Sequence, residues 1–382
     1  MMKKVKVGVI GCGMISEIYL KNITAMFNSI LEAYACADIN KGTASRRAEQ
    51  FGIKAADVDT LLADPEIEVI VNLTIPSAHY EVSKRALLAG KHVYAEKPPA
   101  ASLDEGKELV ALAKEKSLLL CAAPDTFLGG GLQTCRRLID DGAIGIPIAA
   151  QGFMLGRGPE HFHPNPAFFY QPGAGPLLDM GPYYFTALMS LFGPAKRVTG
   201  LASATYPTRR VLNENSPNYG TGFPCEAETY ISGGVEFVCG VTANVTTTWD
   251  LPFPYWESGL PLLTVFGSEG TLILPDPNSY GGIGGSPLAK PGKFVKLRTG
   301  AGEFEEISLK YGYTANSRGL GLADMARCIR EGGTPRANGE GALHVLEMML
   351  GILASSKGGG HHEMQTSCRK PDLLNDNISF KK

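Results

Sequence analysis

The apolar positions in the first third of the chain form short runs separated by amphipathic stretches. Five such runs can be read from the sequence: Val5–Ile10, Ala33–Ile39, Val69–Leu73, His92–Ala95 and Leu118–Ala122. They are rich in Val, Ile and Leu and seldom alternate with polar residues, which is typical of strands buried on both faces. Between them apolar residues recur at helical spacing, as at Ile15, Tyr19 and Ile23. Residues 1–124 are therefore predicted to form a parallel sheet covered by helices.

The pattern changes after about Pro124. A helix is predicted over Leu132–Asp141, and long alternating runs follow it: Glu226–Ser232, Val235–Thr248 and Leu262–Leu274. Such alternation indicates an antiparallel sheet with one packed face. Two late periodic segments predict further helices: Gly319–Arg330 and Gly339–Ser355. Residues 125–382 are thus expected to be an α+β domain, and the polar tail from about residue 357 is typical of disorder.

Composition and charge argue against several classes of protein and binding partner. The chain is 44% hydrophobic and 19% charged, a globular balance, and its formal net charge is only -2. We therefore expect no nucleic-acid or membrane partner, and no apolar run approaches the ~18 residues of a membrane span. The N-terminus lacks the features of a signal peptide. The eight cysteines contain no CxxC pair, so free thiols and a cytoplasmic location are expected.

A glycine-rich turn links the first predicted strand to the first helix. Gly11 permits the tight turn, Gly13 allows a pyrophosphate to approach the backbone, and Met14 and Ile15 lead into the helix. The free N–H groups of the helix N-terminus favour phosphate there. The third motif position is Ser16, which is small enough to keep the pattern. These features predict a Rossmann dinucleotide-binding domain.

Asp38 closes the second apolar run, where such domains bind the adenine ribose. A carboxylate at this position accepts hydrogen bonds from ribose hydroxyls and repels a 2′-phosphate. This favours NAD over NADP. Lys41 and Arg46 follow closely and are able to bind a phosphate, so NADP or dual use is kept as an alternative.

A second group of residues carries candidate proton chemistry. Lys97 follows the strand His92–Ala95, at the carboxyl end where parallel sheets bind ligands. A lysine there, partly buried beside a positively charged nicotinamide, would lose some preference for the ammonium form. It could then exchange the proton of a substrate hydroxyl. Asp179 and Tyr183 are four residues apart and share one face of a predicted helix.

Together these motifs resemble the glucose–fructose oxidoreductase / inositol dehydrogenase / rhizopine-catabolism (Gfo/Idh/MocA) family over nearly the whole chain. The resemblance rests on the following segments: Gly11–Gly13, Asn72–Pro76 with His79, Gly90–Pro98 and Gly173–Tyr184. It implies a Rossmann domain followed by an α+β domain with an open, mainly antiparallel sheet. That sheet commonly forms a subunit interface, so a homo-oligomer, dimer or tetramer, is expected.

The resemblance also assigns roles. Lys97 matches the family's Glu-Lys-Pro lysine and Asp179 its aspartate, whereas Tyr183 stands where the family usually has histidine. Family members similar to glucose–fructose oxidoreductase carry a tyrosine in this region as proton donor or acceptor, and adjacent Tyr184 is a further candidate for substrate contact. The cofactor residues implied are Thr74, Pro76, His79, Glu96 and Lys97, with His79 near the nicotinamide.

Two histidines in the loop before the Asp179 helix are candidates for substrate contact. His161 and His163 lie two apart on an extended segment and face one side. No third ligand is evident nearby, so no metal site is expected.

The resulting hypothesis is an NAD(H)-dependent oxidoreductase that acts on a hydroxyl carbon of a sugar, polyol or related substrate. A redox-neutral glycosidase or epimerase that retains NAD, a reductase of a non-sugar carbonyl and a non-catalytic dinucleotide sensor are the alternatives. Lys97 and Asp179 argue against the sensor.

Overall fold

The computed structural model describes residues 3–283 and 292–374. In chain order, residues 3–129 contain the following elements: β1 (Val5–Ile10), α1 (Ser16–Lys21), β2 (Leu31–Ala37), α2 (Lys41–Phe51), β3 (Lys54–Ala55), α3 (Val58–Ala63), β4 (Val69–Asn72), α4 (Pro76–Leu88), β5 (His92–Ala95), α5 (Leu103–Glu115) and β6 (Leu120–Ala122). A π-helical turn, Asn22–Met26, continues α1.

The rest of the described chain adds a larger set of strands and four helices: α6 (Gly130–Asp140), β7 (Pro147–Leu155), α7 (Pro176–Phe192), β8 (Ala195–Ser203), β9 (Thr208–Arg210), β10 (Gly222–Pro224), β11 (Tyr230–Phe237), β12 (Thr242–Thr248), β13 (Leu263–Gly267), β14 (Gly270–Leu274), β15 (Phe294–Thr299), β16 (Glu305–Ser308), α8 (Leu320–Glu331), α9 (Gly339–Gly358) and β17 (His362–Glu363). Among the described helices, none is long and apolar enough to cross a lipid bilayer.

The first sheet is parallel, in the strand order β3-β2-β1-β4-β5-β6. All four residues of β4 are buried, as the unalternating sequence predicted. The helices begin at local caps: Asn40 accepts the Thr43 N–H for α2, and Ser102 forms a capping box for α5. Because Ile10 pairs with both Ala37 and Asn72, the carboxyl ends of three strands meet at one edge. The expected α/β fold class is confirmed.

The second sheet has nine strands in the order β16-β15-β14-β13-β7-β12-β11-β8-β17. Of its described pairs, only β12 with β7 is parallel, so the expectation of a mainly antiparallel sheet is confirmed. The run Val235–Thr248 is two strands and not one. Gly240, with φ of +90°, makes the turn between them, because a left-handed backbone is readily adopted by glycine.

The described residues form two compact units whose boundaries differ from the expected division at residue 124. One comprises the described residues of Met1–Gly129, Ala315–Leu346 and Pro371–Lys382; the other comprises the described residues of Gly130–Thr314 and Glu347–Lys370. The first includes α8 because long-range bonds hold that helix. The Asp125 carboxylate accepts the N–H groups of Gly319 and Gly321 at 3.0 and 2.9 Å, and Arg330 pairs with Glu68 at 2.6 Å.

The tail is ordered as far as residue 374, so the expectation of disorder from about residue 357 is wrong for that part; residues 375–382 lie outside the described chain. β17 pairs with β8. The buried carboxylate of Glu347 accepts the N–H groups of Gln365 and Thr366 at 2.6 and 2.7 Å and contacts His362 Nε2 at 3.0 Å. Burial raises the pKa of Glu347, but these hydrogen bonds outweigh burial and lower it overall.

Candidate functional site

The glycine-rich turn after β1 has the geometry that a pyrophosphate requires. Gly11 has φ of +99°, and a Cβ there would lie 2.5 Å from the Leu73 carbonyl carbon. No heavy atom lies within 4 Å of a Cβ built on Gly13, so a ligand has open access to that backbone. Ser16 is buried and its hydroxyl donates to the Gly13 carbonyl at 2.6 Å. The serine therefore closes the turn in a way that the usual glycine or alanine cannot.

Asp38 follows β2 and lies against the same turn. Its Oδ2 accepts the Cys12 N–H at 2.8 Å, and its Oδ1 accepts the Asn40 N–H at 2.8 Å. The residue is half-buried, and an ionised carboxylate has about four acceptor positions. The carboxylate thus retains acceptor capacity for ribose hydroxyls while it holds the glycine turn.

The residues after β4 lie at the adjoining end of the sheet. Asn72 is buried, and its Oδ1 accepts both the hydroxyl of Thr74 at 2.7 Å and its N–H at 3.3 Å. Thr74 is half-buried, whereas Pro76, the first residue of α4, is exposed. The buried amide therefore fixes the backbone that leads from the strand into the helix.

His79 joins this segment to the one after β5. The ring is buried, with Nδ1 2.7 Å from the Pro98 carbonyl oxygen and Nε2 2.9 Å from the Thr74 carbonyl oxygen. Since both nitrogens face main-chain carbonyls of the protein, His79 shapes the edge of the sheet and its ring nitrogens are engaged there.

Glu96 is likewise engaged by the protein. Its Oε1 accepts the hydroxyl of Tyr19 at 2.8 Å, and its Oε2 accepts the Lys97 N–H at 3.0 Å. Tyr19 is fully buried in α1, the helix that begins at the glycine turn. The carboxylate therefore ties the backbone of half-buried Lys97 to that helix.

Exposed apolar side chains accompany these polar groups. Met14 is 77% exposed, Ile39 102% and Ile75 64%, and each follows the carboxyl end of a different parallel strand. Apolar side chains are usually placed in the core, and these three instead follow strand ends at the edge where parallel sheets bind ligands. With the open Gly13 backbone and the Asp38 carboxylate, these residues fit a dinucleotide.

In the other unit, α7 carries the predicted aspartate and tyrosine. Gly175, with φ of +96°, precedes the helix. Asp179 is half-buried, and Tyr183, one turn later, is 8% exposed. Tyr184 is fully buried against the sheet, and its hydroxyl donates to the Phe153 carbonyl at 3.1 Å. The expectation that Tyr184 contacts substrate is therefore corrected: its side chain is a packing residue.

The loop between β7 and α7 carries the two candidate histidines. His161 ends a 3-10 turn, Pro159–His161. The His163 ring lies nearly perpendicular to the rings of Phe168 and Phe169, with each centroid at 5.3 Å, and those two rings pack against each other at 4.0 Å. Burial lowers the pKa of both histidines. The Asn165 N–H donates to His163 Nδ1 at 3.1 Å, so the ring proton of the neutral form is on Nε2.

Sequence reasoning missed several residues that the structure places at these positions. Arg47, in α2, donates to the Gly13 carbonyl at 3.3 Å and pairs with Glu17 at 3.2 Å. Helical spacing identifies Tyr19 only as a helix-core residue, whereas its hydroxyl also binds the Glu96 carboxylate. The buried Arg209 contacts Glu160, beside His161. These contacts join distant parts of the sequence, and no local pattern signals them.

No candidate metal centre is evident in the described chain. Within residues 3–283 and 292–374, no group of three or more His, Cys, Asp or Glu side chains is placed to hold a metal ion.

Two family models match the chain in the order that the architecture requires. Residues 5–123 match the Gfo/Idh/MocA oxidoreductase family, NAD-binding Rossmann fold, and residues 132–273 match the Gfo/Idh/MocA C-terminal domain. The chain therefore belongs to the Gfo/Idh/MocA oxidoreductase family, and its N-terminal domain is an NAD-binding Rossmann domain.

The individual proteins that match this chain are only distantly similar to it. An uncharacterized oxidoreductase of Schizosaccharomyces pombe is 30% identical over 210 residues, 53% of this chain and 56% of the relative; the match to a second such protein of that yeast spans 54% of it. A 1,5-anhydro-D-fructose reductase of Ensifer adhaerens is 26% identical over 94% of this chain and 98% of its own length. A levoglucosan dehydrogenase solved with NADH and levoglucosan has a TM-score of 0.79 at 18% identity, covering 95% and 100% of the two chains; at that identity it shows the shared fold.

Proposed function

We propose that the protein is an NAD(H)-dependent dehydrogenase or reductase that acts on a hydroxyl carbon of a sugar, polyol or related carbohydrate. The observation that carries this proposal is the edge of the parallel sheet, where the Gly13 backbone, Asp38 and Lys97 follow the carboxyl ends of β1, β2 and β5. Membership of an NAD-binding oxidoreductase family supports it. Two relatives whose matches span nearly the full chain, the 1,5-anhydro-D-fructose reductase and the levoglucosan dehydrogenase, are named as enzymes of sugar derivatives, which favours a carbohydrate substrate.

The proposed cofactor residues divide into two groups. Gly11, Gly13, Met14 and Ile15 receive the pyrophosphate at the start of α1, and Asp38 accepts the adenine-ribose hydroxyls. A second set shapes the nicotinamide end: Thr74, Pro76, His79, Glu96 and Lys97. Bound NAD would supply the hydride acceptor, or NADH the hydride.

The proton chemistry is assigned to three side chains. Lys97 and Tyr183 hold and transfer the proton of the substrate hydroxyl, and Asp179 orients the reacting groups. A phenol has an ordinary pKa of ~10, so Tyr183 is better suited to donate a proton than to accept one. His161 and His163 are proposed to contact other substrate hydroxyls. A cytoplasmic location is proposed as well, supported by the eight free thiols.

The test is a panel of sugars, inositols, anhydrosugars and sugar acids, assayed with NAD and with NADP at the NADH absorbance band. We expect turnover of at least one carbohydrate, faster with NAD. Lys97→Met should lower kcat by ~10²–10⁴-fold, the usual contribution of a general acid or base, and leave NADH affinity nearly unchanged.

Two results would contradict the proposal. Parent-level turnover by Lys97→Met would remove the lysine from the chemistry. Conversion of a substrate without net NADH formation would identify a redox-neutral enzyme that retains its dinucleotide.

A further inference from the structure

The β9–β10 hairpin binds alternate carbonyl groups of the segment 160–164, which contains His161 and His163. The three donor–acceptor pairs are Leu212 N to Glu160 O at 2.9 Å, Asn213 Nδ2 to Phe162 O at 2.7 Å and Ser216 Oγ to Pro164 O at 2.6 Å. The two histidines occupy the positions between the bonded carbonyls. Because the three hydrogen bonds are spaced along the whole segment, they hold the backbone of the entire segment in place.

Arg209 fastens the base of the hairpin to the same segment. It lies in β9 and is 8% exposed. Its Nη1 is 3.2 Å from the Glu160 carboxylate and donates to the Trp249 carbonyl at 3.2 Å, while its Nη2 pairs with Asp250. One side chain therefore joins the hairpin, the start of the histidine segment and the end of β12.

The Glu160 carboxylate is held from a second direction. The hydroxyl of Tyr170 donates to its other oxygen, and the Arg209 guanidinium lies 5.1 Å from the centroid of the Tyr170 ring. Burial and the neighbouring carboxylate raise the pKa of Tyr170, so this phenol stays protonated and remains a donor. A buried ion cluster of this kind adds little stability over an apolar core. The cluster instead specifies the geometry of the segments that it joins.

These contacts define the position and the tautomer of the His163 imidazole. The Asn165 N–H donates to His163 Nδ1, and the imidazole packs nearly perpendicular to the mutually packed rings of Phe168 and Phe169. The proton of the neutral ring is then on Nε2, on a segment whose backbone is fixed by the hairpin. An N–H donor of fixed direction is suited to a hydroxyl oxygen.

We propose that the β9–β10 hairpin, anchored by Arg209, is the positioning element of the segment 160–164, and that this segment presents the Nε2–H of His163 to a hydroxyl group of the carbohydrate substrate. The first part concerns the protein alone. The second part rests on the proposed function.

Hydrogen exchange tests the first part without any substrate. The double variant Asn213→Ala/Ser216→Ala removes the two side-chain donors between β9 and β10, half-buried Asn213 and buried Ser216. We expect amide exchange in the peptide covering 160–166 to accelerate about tenfold, because two hydrogen bonds restrain its opening. Unchanged exchange in this variant would overturn the positioning role.

Arg209→Met and Arg210→Met form a matched pair for the anchor. Arg210 is the next residue of β9 and is exposed. Arg209→Met should accelerate the same exchange at least as much as the double variant, whereas Arg210→Met should match the parent. Equal behaviour of the two arginine variants would overturn the anchor. If Arg209→Met fails to fold, Arg209→Lys, which keeps the charge but not the planar geometry, replaces it.

Kinetics test the second part. With the best substrate of the carbohydrate panel, the double variant and His163→Ala should raise KM about tenfold, the loss expected for a hydrogen bond. We expect kcat within about twofold of the parent and an unchanged Kd for NADH, since binding and not chemistry is affected. Faster exchange with unchanged KM would reject the substrate contact and leave the proposed function intact. A parent inactive on the whole panel would reject the proposed function, and exchange would still decide the positioning role.

Discussion

Asp38 has a structural role in addition to the ribose-binding role that its sequence motif predicts. The sequence pattern assigns it to the adenine ribose, but its carboxylate also accepts the backbone N–H groups of Cys12 and Asn40. Hydrogen bonds to a charged acceptor are stronger than those between neutral groups. The residue therefore shapes the glycine turn and is proposed to recognise the ribose as well.

We predict that NADH binds more tightly than NADPH and that Asp38→Ala narrows this difference by about 1–3 kcal/mol, the range for hydrogen bonds to a charged group. Calorimetric titration with both cofactors measures it. Asp57→Ala is the control, because it removes an exposed carboxylate that caps α3 at Thr60 N. Tighter binding of NADPH by the parent would contradict the prediction.

The neighbouring tyrosines of α7 should respond in opposite ways. Tyr183→Phe removes the proposed proton donor and should lower kcat by ~10²–10⁴-fold with little change in the free energy of unfolding. Tyr184→Phe should keep kcat and lower the free energy of unfolding by about 0.5–1.5 kcal/mol, since it loses the hydrogen bond to the Phe153 carbonyl. Steady-state rates and urea unfolding distinguish them. An inactive Tyr184→Phe beside a fully active Tyr183→Phe would reverse the assignment.

At the level of elements, a buried carboxylate anchors the segment that follows α9. Glu347, in α9, is 0% exposed, and its carboxylate binds the backbone of Gln365 and Thr366. A buried carboxylate needs such partners, because an uncompensated charge is costly away from water. The polar composition of the tail gave no sign of this anchor.

Glu347→Ala should release the tail. We expect faster amide exchange over residues 362–370 and a lower free energy of unfolding, by roughly 1–3 kcal/mol, because the backbone donors lose their acceptor. Exchange measured by mass spectrometry locates the effect. Glu340→Ala, at an exposed position in the first turn of α9, should leave the tail protected. Equal exchange in parent and Glu347→Ala would show that strand pairing alone holds the segment.

At the scale of the whole molecule, the nine-stranded sheet has one face that bears both polar and apolar side chains. Register places four residues in one row across this face: Leu201, Ser232, Thr246 and Phe153. Leu201 is 75% exposed and Tyr230, on the same face, 42%. Exposed apolar side chains on a sheet favour association with another surface.

We therefore predict a homo-oligomer, a dimer or a tetramer, that uses this face. Light scattering at micromolar concentration should give a multiple of the 40.7 kDa chain mass. Leu201→Glu should weaken the assembly because a charge would be buried at the interface, whereas Ile39→Glu, on the other unit, should not. A monomeric mass for the parent protein would exclude the prediction.

The sequence by itself determined the features that depend on short-range constraints. Buried parallel strands, the glycine turn at Gly11 and the acid at Asp38 are local patterns, because burial, positive φ and strand ends act over a few residues. The same reasoning located Lys97 at a strand end and gave Asp179 and Tyr183 a common helix face.

Only the tertiary structure decided which distant groups meet. α8 joins the first unit because Asp125 and Glu68 hold it, and the cluster around Arg209 brings together residues 160, 170 and 250. The engagement of both nitrogens of His79, and of both oxygens of Glu96, was likewise invisible in the sequence. Partners of this kind are separated by long stretches of chain, and what brings them together is the packing of whole elements, which has no local pattern.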